Sequence, residues 1–146
     1  MNASLQQDQA CRPALFVWNG PVARERLDEW ARQRRLDLPD DLLQFWQTTG
    51  AGELFESETI LGPFGDPQLG DDVDSVNEMH RGRGMGSRYL IVHIGSELTA
   101  IRLSDKKWVV LDQHTYAELA EYDSFESWYT RGLRAEFAAR CGLSES

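Results

Sequence analysis

Nowhere in this chain of 146 residues does an apolar run approach the ~18–20 residues that a membrane-spanning helix needs, which excludes a span of that kind. The opening stretch MNASLQQDQACRP has neither a basic start nor an apolar core, so it does not read as a secretory signal peptide, and a cytoplasmic location is expected. Cysteine is scarce: Cys11 and Cys141 lie near opposite ends, and free thiols are the better reading than a bridge between the termini. Neither has a Cys-x-x-Cys partner or a nearby histidine to activate it as a nucleophile. Histidine is equally sparse. His80, His93 and His114 are the only three, and no two sit at metal-ligand spacing on one helix. There is no Gly-x-Ser-x-Gly elbow. RGRGMGS at 81–87 contains GxGxG, but it follows a helical pattern and precedes a strand pattern, the reverse of a dinucleotide loop. No metal and no cofactor is expected.

The most informative absence is of positive charge. Between Asp37 and His80 there are eleven acids and no Lys or Arg, and this segment accounts for the whole net charge of −9. Nucleic acid is thereby an unsuitable ligand, since phosphate backbones call for Lys and Arg. A basic partner suits the segment better, through electrostatic steering.

What is present suffices for a core. Five Trp, six Phe and four Tyr occur in a chain whose size suggests one domain burying roughly 68–70% of its unfolded surface. The domain is expected over residues 13–141, with structureless ends at 1–12 and 142–146 that lack periodicity. Ala14–Trp18 reads as a strand before the Asn19-Gly20 turn signal, and Pro21 opens a helix to about Arg35. Leu54–Leu61 alternates only partly and reads as a strand or an extended loop; Gly65–Gly70 is loop. Asp71–His80 reads as a helix capped by Asp71 or Asp72, with Val73, Val76 and His80 inward, and Arg81–Ser87 as a flexible link. Strands are expected at Tyr89–Ile94, Thr99–Leu103 and Trp108–Leu111, antiparallel because their connections are short. A Ser124 cap opens a final helix carrying Phe125, Trp128, Tyr129, Leu133 and Phe137, in which Gly132 costs roughly 1 kcal/mol against Ala. The class is α+β: a single domain with an antiparallel sheet flanked by helices.

The stretch LPDDLLQFWQTTGAG, Leu38–Gly52, is the most distinctive. Pro39 suits a first helical turn, Asp40 and Asp41 face the positive end of the helix dipole, and Leu42, Phe45, Trp46 and Thr49 recur at helical spacing. Gly50 falls where a left-handed cap belongs. With the strands around Ile94-Gly95, the strand ending at Asp112 and the aromatic-rich last helix, this pattern resembles the SUKH superfamily, the cell-wall-regulator-like fold found in many bacterial immunity proteins. The resemblance covers roughly Leu38 to Arg140. Ser96-Glu97-Leu98-Thr99 stands where the family often has a Gly-rich, Asp-containing turn, so no ligand of that turn is carried over.

The resemblance implies a non-enzymatic immunity protein that binds and neutralises a cognate toxin, a basic nuclease-type domain by analogy with the family. The acids expected to meet that partner, chosen from charge alone, are Glu53, Glu56, Glu58, Asp66, Asp71, Asp72 and Asp74; Asp40 and Asp41 are set aside because helix electrostatics explain them. An exposed Trp beside these acids, Trp18 or Trp30, would be a natural anchor. The alternative is a regulatory or scaffold interaction module on the same fold with no toxin partner. A small hydrolase using clustered carboxylates is a third reading that no motif calls for.

Overall fold

A computed structural model describes residues 3–66 and 68–143. Seven strands form one antiparallel sheet in strict chain order: β1 (Phe16–Trp18), β2 (Gly52–Leu54), β3 (Glu58–Ile60), β4 (Tyr89–Ile94), β5 (Leu98–Arg102), β6 (Lys107–Leu111) and β7 (Glu118–Tyr122). Helix α1 (Ala3–Cys11) precedes this meander, and α2 (Arg24–Gln33), α3 (Asp40–Thr49) and α4 (Val73–Gly82) interrupt it. The last helix follows β7 in three continuous pieces: α5 (Phe125–Ser127), a π-helical segment Trp128–Leu133, and α6 (Arg134–Phe137). Among the described residues no helix is long and apolar enough to cross a membrane.

The α3 stretch folds as its sequence indicates. Helix α3 begins at Asp40, directly after Pro39, and Gly50 closes it at φ 71°. A Cβ on Gly50 would also lie 2.0 Å from the Gly20 carbonyl oxygen, so glycine is required there by conformation and by contact. Arg24 beside Asp40, at 2.7 Å, holds that carboxyl below the usual range. The apolar side of α3 meets the last helix where Phe45 stacks on Phe125 with centroids 4.8 Å apart, and the sheet meets it where Trp108 of β6 stacks on Trp128 at 5.3 Å. Trp46 donates its indole N–H to the Leu61 carbonyl at 2.8 Å.

Several expectations are corrected. Residues 1–12 are not structureless where they are described: Ala3–Cys11 is helical, with Leu5 and Asp8 buried. Nothing periodic marks this helix because tertiary contacts hold it instead. Asp8 accepts a two-pronged ion pair from Arg134, at 2.7 and 3.1 Å, and a 2.6 Å hydrogen bond from the Tyr129 hydroxyl. Residues 142–146 are only partly described; Leu143 is buried, while 144–146 lie outside the described residues, as do 1 and 2. Leu54–Leu61 is a hairpin, β2 and β3 joined by a Phe55–Ser57 turn in which Phe55 and Glu56 take positive φ. The expected link at 81–87 is no hinge. Helix α4 runs into it, and buried Met85 donates its N–H to the His80 carbonyl at 3.0 Å. Strand β7 was not foreseen at all. Trp30 is 3% exposed and Trp18 packs edge-on against Phe45, so neither is a free anchor.

Helix α4 covers part of one sheet face and completes it. Opposite Ile91 strand β3 has already ended, and Asn77 takes its place: it accepts from the Ile91 N–H at 2.6 Å and donates to the Ile91 carbonyl at 2.9 Å. Nearby, buried His80 shares a 2.8 Å hydrogen bond between Nδ1 and the Tyr116 hydroxyl. Burial, aided by Arg83, lowers the His80 pKa, so the native state favours the neutral ring.

Two outcomes follow. Asp8→Ala removes the buried carboxylate that Tyr129 and Arg134 share and should lower unfolding free energy by about 3 kcal/mol, read from urea midpoints at constant slope. A lowered histidine pKa means that the unfolded chain binds the extra proton first. The His80 contribution is therefore complete above the ordinary value of 6.5 and is lost as pH falls below it. Wild type should lose more stability than His80→Gln between pH 7.5 and 5, and parallel losses would contradict this.

Candidate functional site

Strand β4 breaks its own alternation. Ile91 pairs with Ala100, but the next pair is His93 with Thr99, so Val92 is bulged out of register. Without the bulge His93 would point to the opposite face. With it, His93 shares a face with Thr99 and Leu90, beneath the last helix. Glu58, at the start of β3, points to the same face two residues from Ile60, the pairing partner of His93.

These residues form a continuous relay. His93 Nε2 lies 3.0 Å from Glu58 Oε1, and Nδ1 lies 2.8 Å from Thr99 Oγ1. Ser57 donates to the other Glu58 oxygen at 3.0 Å, and the Trp128 indole N–H donates to Thr99 Oγ1 at 3.1 Å. The contacts are compatible with a ring that carries its proton on Nε2, with Nε2–H donating to the carboxylate and Nδ1 accepting from the Thr99 hydroxyl. Trp128 caps the imidazole edge-on, with centroids 5.2 Å apart. Glu58, His93 and Thr99 are all buried. Gly95 closes the relay from above; a Cβ there would fall 2.0 Å from Glu58 Oε1.

The relay forms the floor of a cleft of about 310 Å³ between β7 and the π-helical segment. Glu97, Tyr122, Arg131 and Glu136 stand around it. Gly132, a weak point of the helix by propensity, permits the close approach of helix and strand, since a Cβ there would lie 3.3 Å from the Tyr122 ring. A π-helical turn beside a cavity is a frequent companion of function.

The acids named from the sequence do not form one face. Glu53 is exposed on β2, Glu56 is exposed in the hairpin turn, and Asp66 is exposed in the loop before α4, where it accepts from the Gln68 N–H. The other four are committed to the fold. Glu58 belongs to the relay. Asp71 is buried and accepts from the Asp66 N–H at 2.6 Å. Asp72 is buried and caps α4 by accepting from the Ser75 N–H at 2.8 Å. Asp74 is forked onto Arg34 at 2.9 and 2.6 Å. A block of acids along the chain is interleaved in space with cations from outside it, since Arg24, Arg34 and Lys106 pair with Asp40, Asp74 and Asp37. Among the described residues no group of three or more His, Cys, Asp or Glu side chains is arranged to hold a metal ion.

The cross-strand pairings reveal a surface that charge counting missed. Val17, Glu53, Thr59 and Ile94 are successive partners across β1–β4 and so lie on one face. Val17 is 62% exposed, Glu53 is exposed, and the other two are half-buried. This end of the sheet is open, and its β2 and β3 come wholly from the stretch without Lys or Arg. The signal was latent in the partial alternation of LFESETIL, but the pairing was needed to read it. No protein-family model matches the chain, and a comparison with curated proteins gives no significant match.

The contact between Gly95 and Glu58 is testable by a double-mutant cycle. Gly95→Ala should cost about 1–3 kcal/mol because His93 and Ser57 hold the carboxylate in place. Adding Glu58→Ala should recover about 1 kcal/mol or more relative to the sum of the single effects. Strict additivity would show that the methyl group is accommodated elsewhere.

Proposed function

We propose that this protein is a non-enzymatic binding protein of the SUKH immunity type, which captures and neutralises a basic toxin domain, most simply a nuclease. The observation that carries the reading is the open row Val17–Glu53–Thr59–Ile94. It combines apolar side chains with a carboxylate and has no cation on β2 or β3. A nuclease holds phosphates with Lys and Arg, and an acidic, partly apolar sheet face offers those groups an alternative partner. Apolar contacts at Val17 and Ile94 would govern dissociation, while the charge governs encounter. The relay supports the same reading from the other side. Its polar atoms satisfy one another and its members are buried, as in a structural network that fixes strand positions. The α+β architecture, with an antiparallel sheet and helices beside it, agrees with the resemblance without distinguishing immunity from other roles of a binding module.

Affinity capture from the source cell's lysate at low and high salt tests this, with wild type and Val17→Lys/Glu53→Lys as baits. A basic toxin domain should be retained one-to-one by wild type, released by salt, and bound about tenfold or more weakly by the variant. Co-expression with that domain should restore growth for wild type and not for the variant. Capture unaffected by the two substitutions would overturn the surface assignment, and a wild type that binds only housekeeping proteins would overturn the immunity reading.

A further inference from the structure

Strand β7 ends the sheet, and only one side of its backbone is paired. It hydrogen-bonds to β6 alone, and among the described residues its backbone makes no bond outside that ladder. Its register carries a second bulge. Val110 pairs with Ala120, but Leu111 pairs with Glu118, which leaves Leu119 as the extra residue, 52% exposed. The bulge has a chemical consequence. Glu118 and Glu121 are three apart and would alternate to opposite faces of a regular strand. Here both lie on one face, where Arg102 reaches them at 2.7 and 2.5 Å. On the other face Ala120 and Tyr122 border the cleft with Glu97, Arg131 and Glu136, above Glu58.

Charge is therefore unbalanced on both faces of this free edge. In the cleft three carboxylates face one guanidinium. On the opposite face Arg102 is shared among Asp105, Glu121 and Glu118, its hydrogen bonds to Asp105 and Glu121 raising its pKa further above the usual arginine range, and Lys107 beside it is taken by Asp123. Pairing with a second copy through this edge would bring Glu118 and Glu121 against their own kind, between chains of net charge −9 each. A basic strand would meet the opposite situation, with alternate cations falling on the cleft and on the Glu118–Glu121 face.

We propose that β7 and its adjoining cleft receive an extended basic segment of a partner protein, added as an eighth strand, with an Arg or Lys side chain directed into the cleft toward Glu97 and Glu136. Backbone pairing along β7 supplies affinity that is indifferent to sequence, and the two acidic faces select for alternating cations. Leu119, projecting at the bulge, gives the added strand an apolar contact. The inference rests on the protein-binding reading, to which it adds a linear element at the opposite edge of the sheet from Val17.

The test uses the full chain with isotope-labelled backbone amides and the capped peptide Ac-RVRVRV-NH2. Ac-EVEVEV-NH2, arginine amide, and the first peptide N-methylated at alternate residues serve as comparisons. The basic peptide should bind about tenfold or more tightly than the acidic one, slow hydrogen exchange at 118–122, and shift the Arg131 and Gly132 amides. N-methylation should abolish binding, and Glu97→Arg/Glu136→Arg should weaken it about tenfold with the circular dichroism unchanged. Equal binding of both peptides, arginine amide binding as well as the peptide without protecting β7, no binding at all, or a homodimer through β7 detected by sedimentation would each overturn the proposal. The peptide titration can fail while lysate capture succeeds, and the reverse, because Val17→Lys/Glu53→Lys alters the other end of the sheet.

Discussion

A carboxylate taken out of water costs several kcal/mol unless a donor meets it, and this chain buries several of them. Each therefore becomes a point at which distant segments have to converge. Asp8 draws α1 to Tyr129 and Arg134 at the far end of the sequence. Asp41, in the first turn of α3, accepts from the Phe125 N–H and so fixes where the last helix begins. Glu58 ties β3 to β4 through His93, and Asp71 reaches Asn19 as well as its own loop. The aromatic core provides the cohesion; these acids determine which surfaces it joins.

The sheet alternates with period two, and that period fails in two places. At Val92 the bulge turns His93 inward, allowing a relay that runs from Ser57 to Trp128. At Leu119 the bulge gathers Glu118 and Glu121 on one face of an edge strand. In both cases one additional residue changes the chemistry of a surface without changing the fold. The π-helical segment is the helical counterpart, carrying Trp128 over His93 and presenting Gly132 to the ring of Tyr122.

Local signals in the sequence were reliable where a segment's own residues determine its shape. Helix α3 with Gly50, the Asp72 and Ser124 caps, and strands β4 to β6 are of this kind. What was not legible came from partners remote in sequence. Helix α1 lacks periodicity because Leu5 and polar contacts with remote segments hold it, from Ser4 to Glu126, from Asp8 to Tyr129 and Arg134, and from Gln9 to Trp18. β7 carries no clear strand alternation because its two glutamates face the same way only after a bulge. The candidate acids are dispersed for the same reason. Counting charge along the chain cannot reveal that Asp74 lies against Arg34, forty positions earlier.

Removing the acids committed to the fold changes the meaning of the net charge. Asp37, Asp40 and Asp74 are matched by cations, while Glu58, Asp71 and Asp72 are held by hydrogen bonds within the fold. Exposed acids remain away from the sheet, as at Glu56 and Asp66, and also where the sheet is open: Glu53 on the uncovered row, and Glu97 and Glu136 beside β7. Free sheet edges and uncovered faces are where proteins associate with copies of themselves. Acids there oppose that association by like-charge repulsion, and the same charges attract a basic chain. One distribution of carboxylates would thus oppose pairing of the sheet with its own kind and, on the reading proposed above, favour a partner of opposite charge.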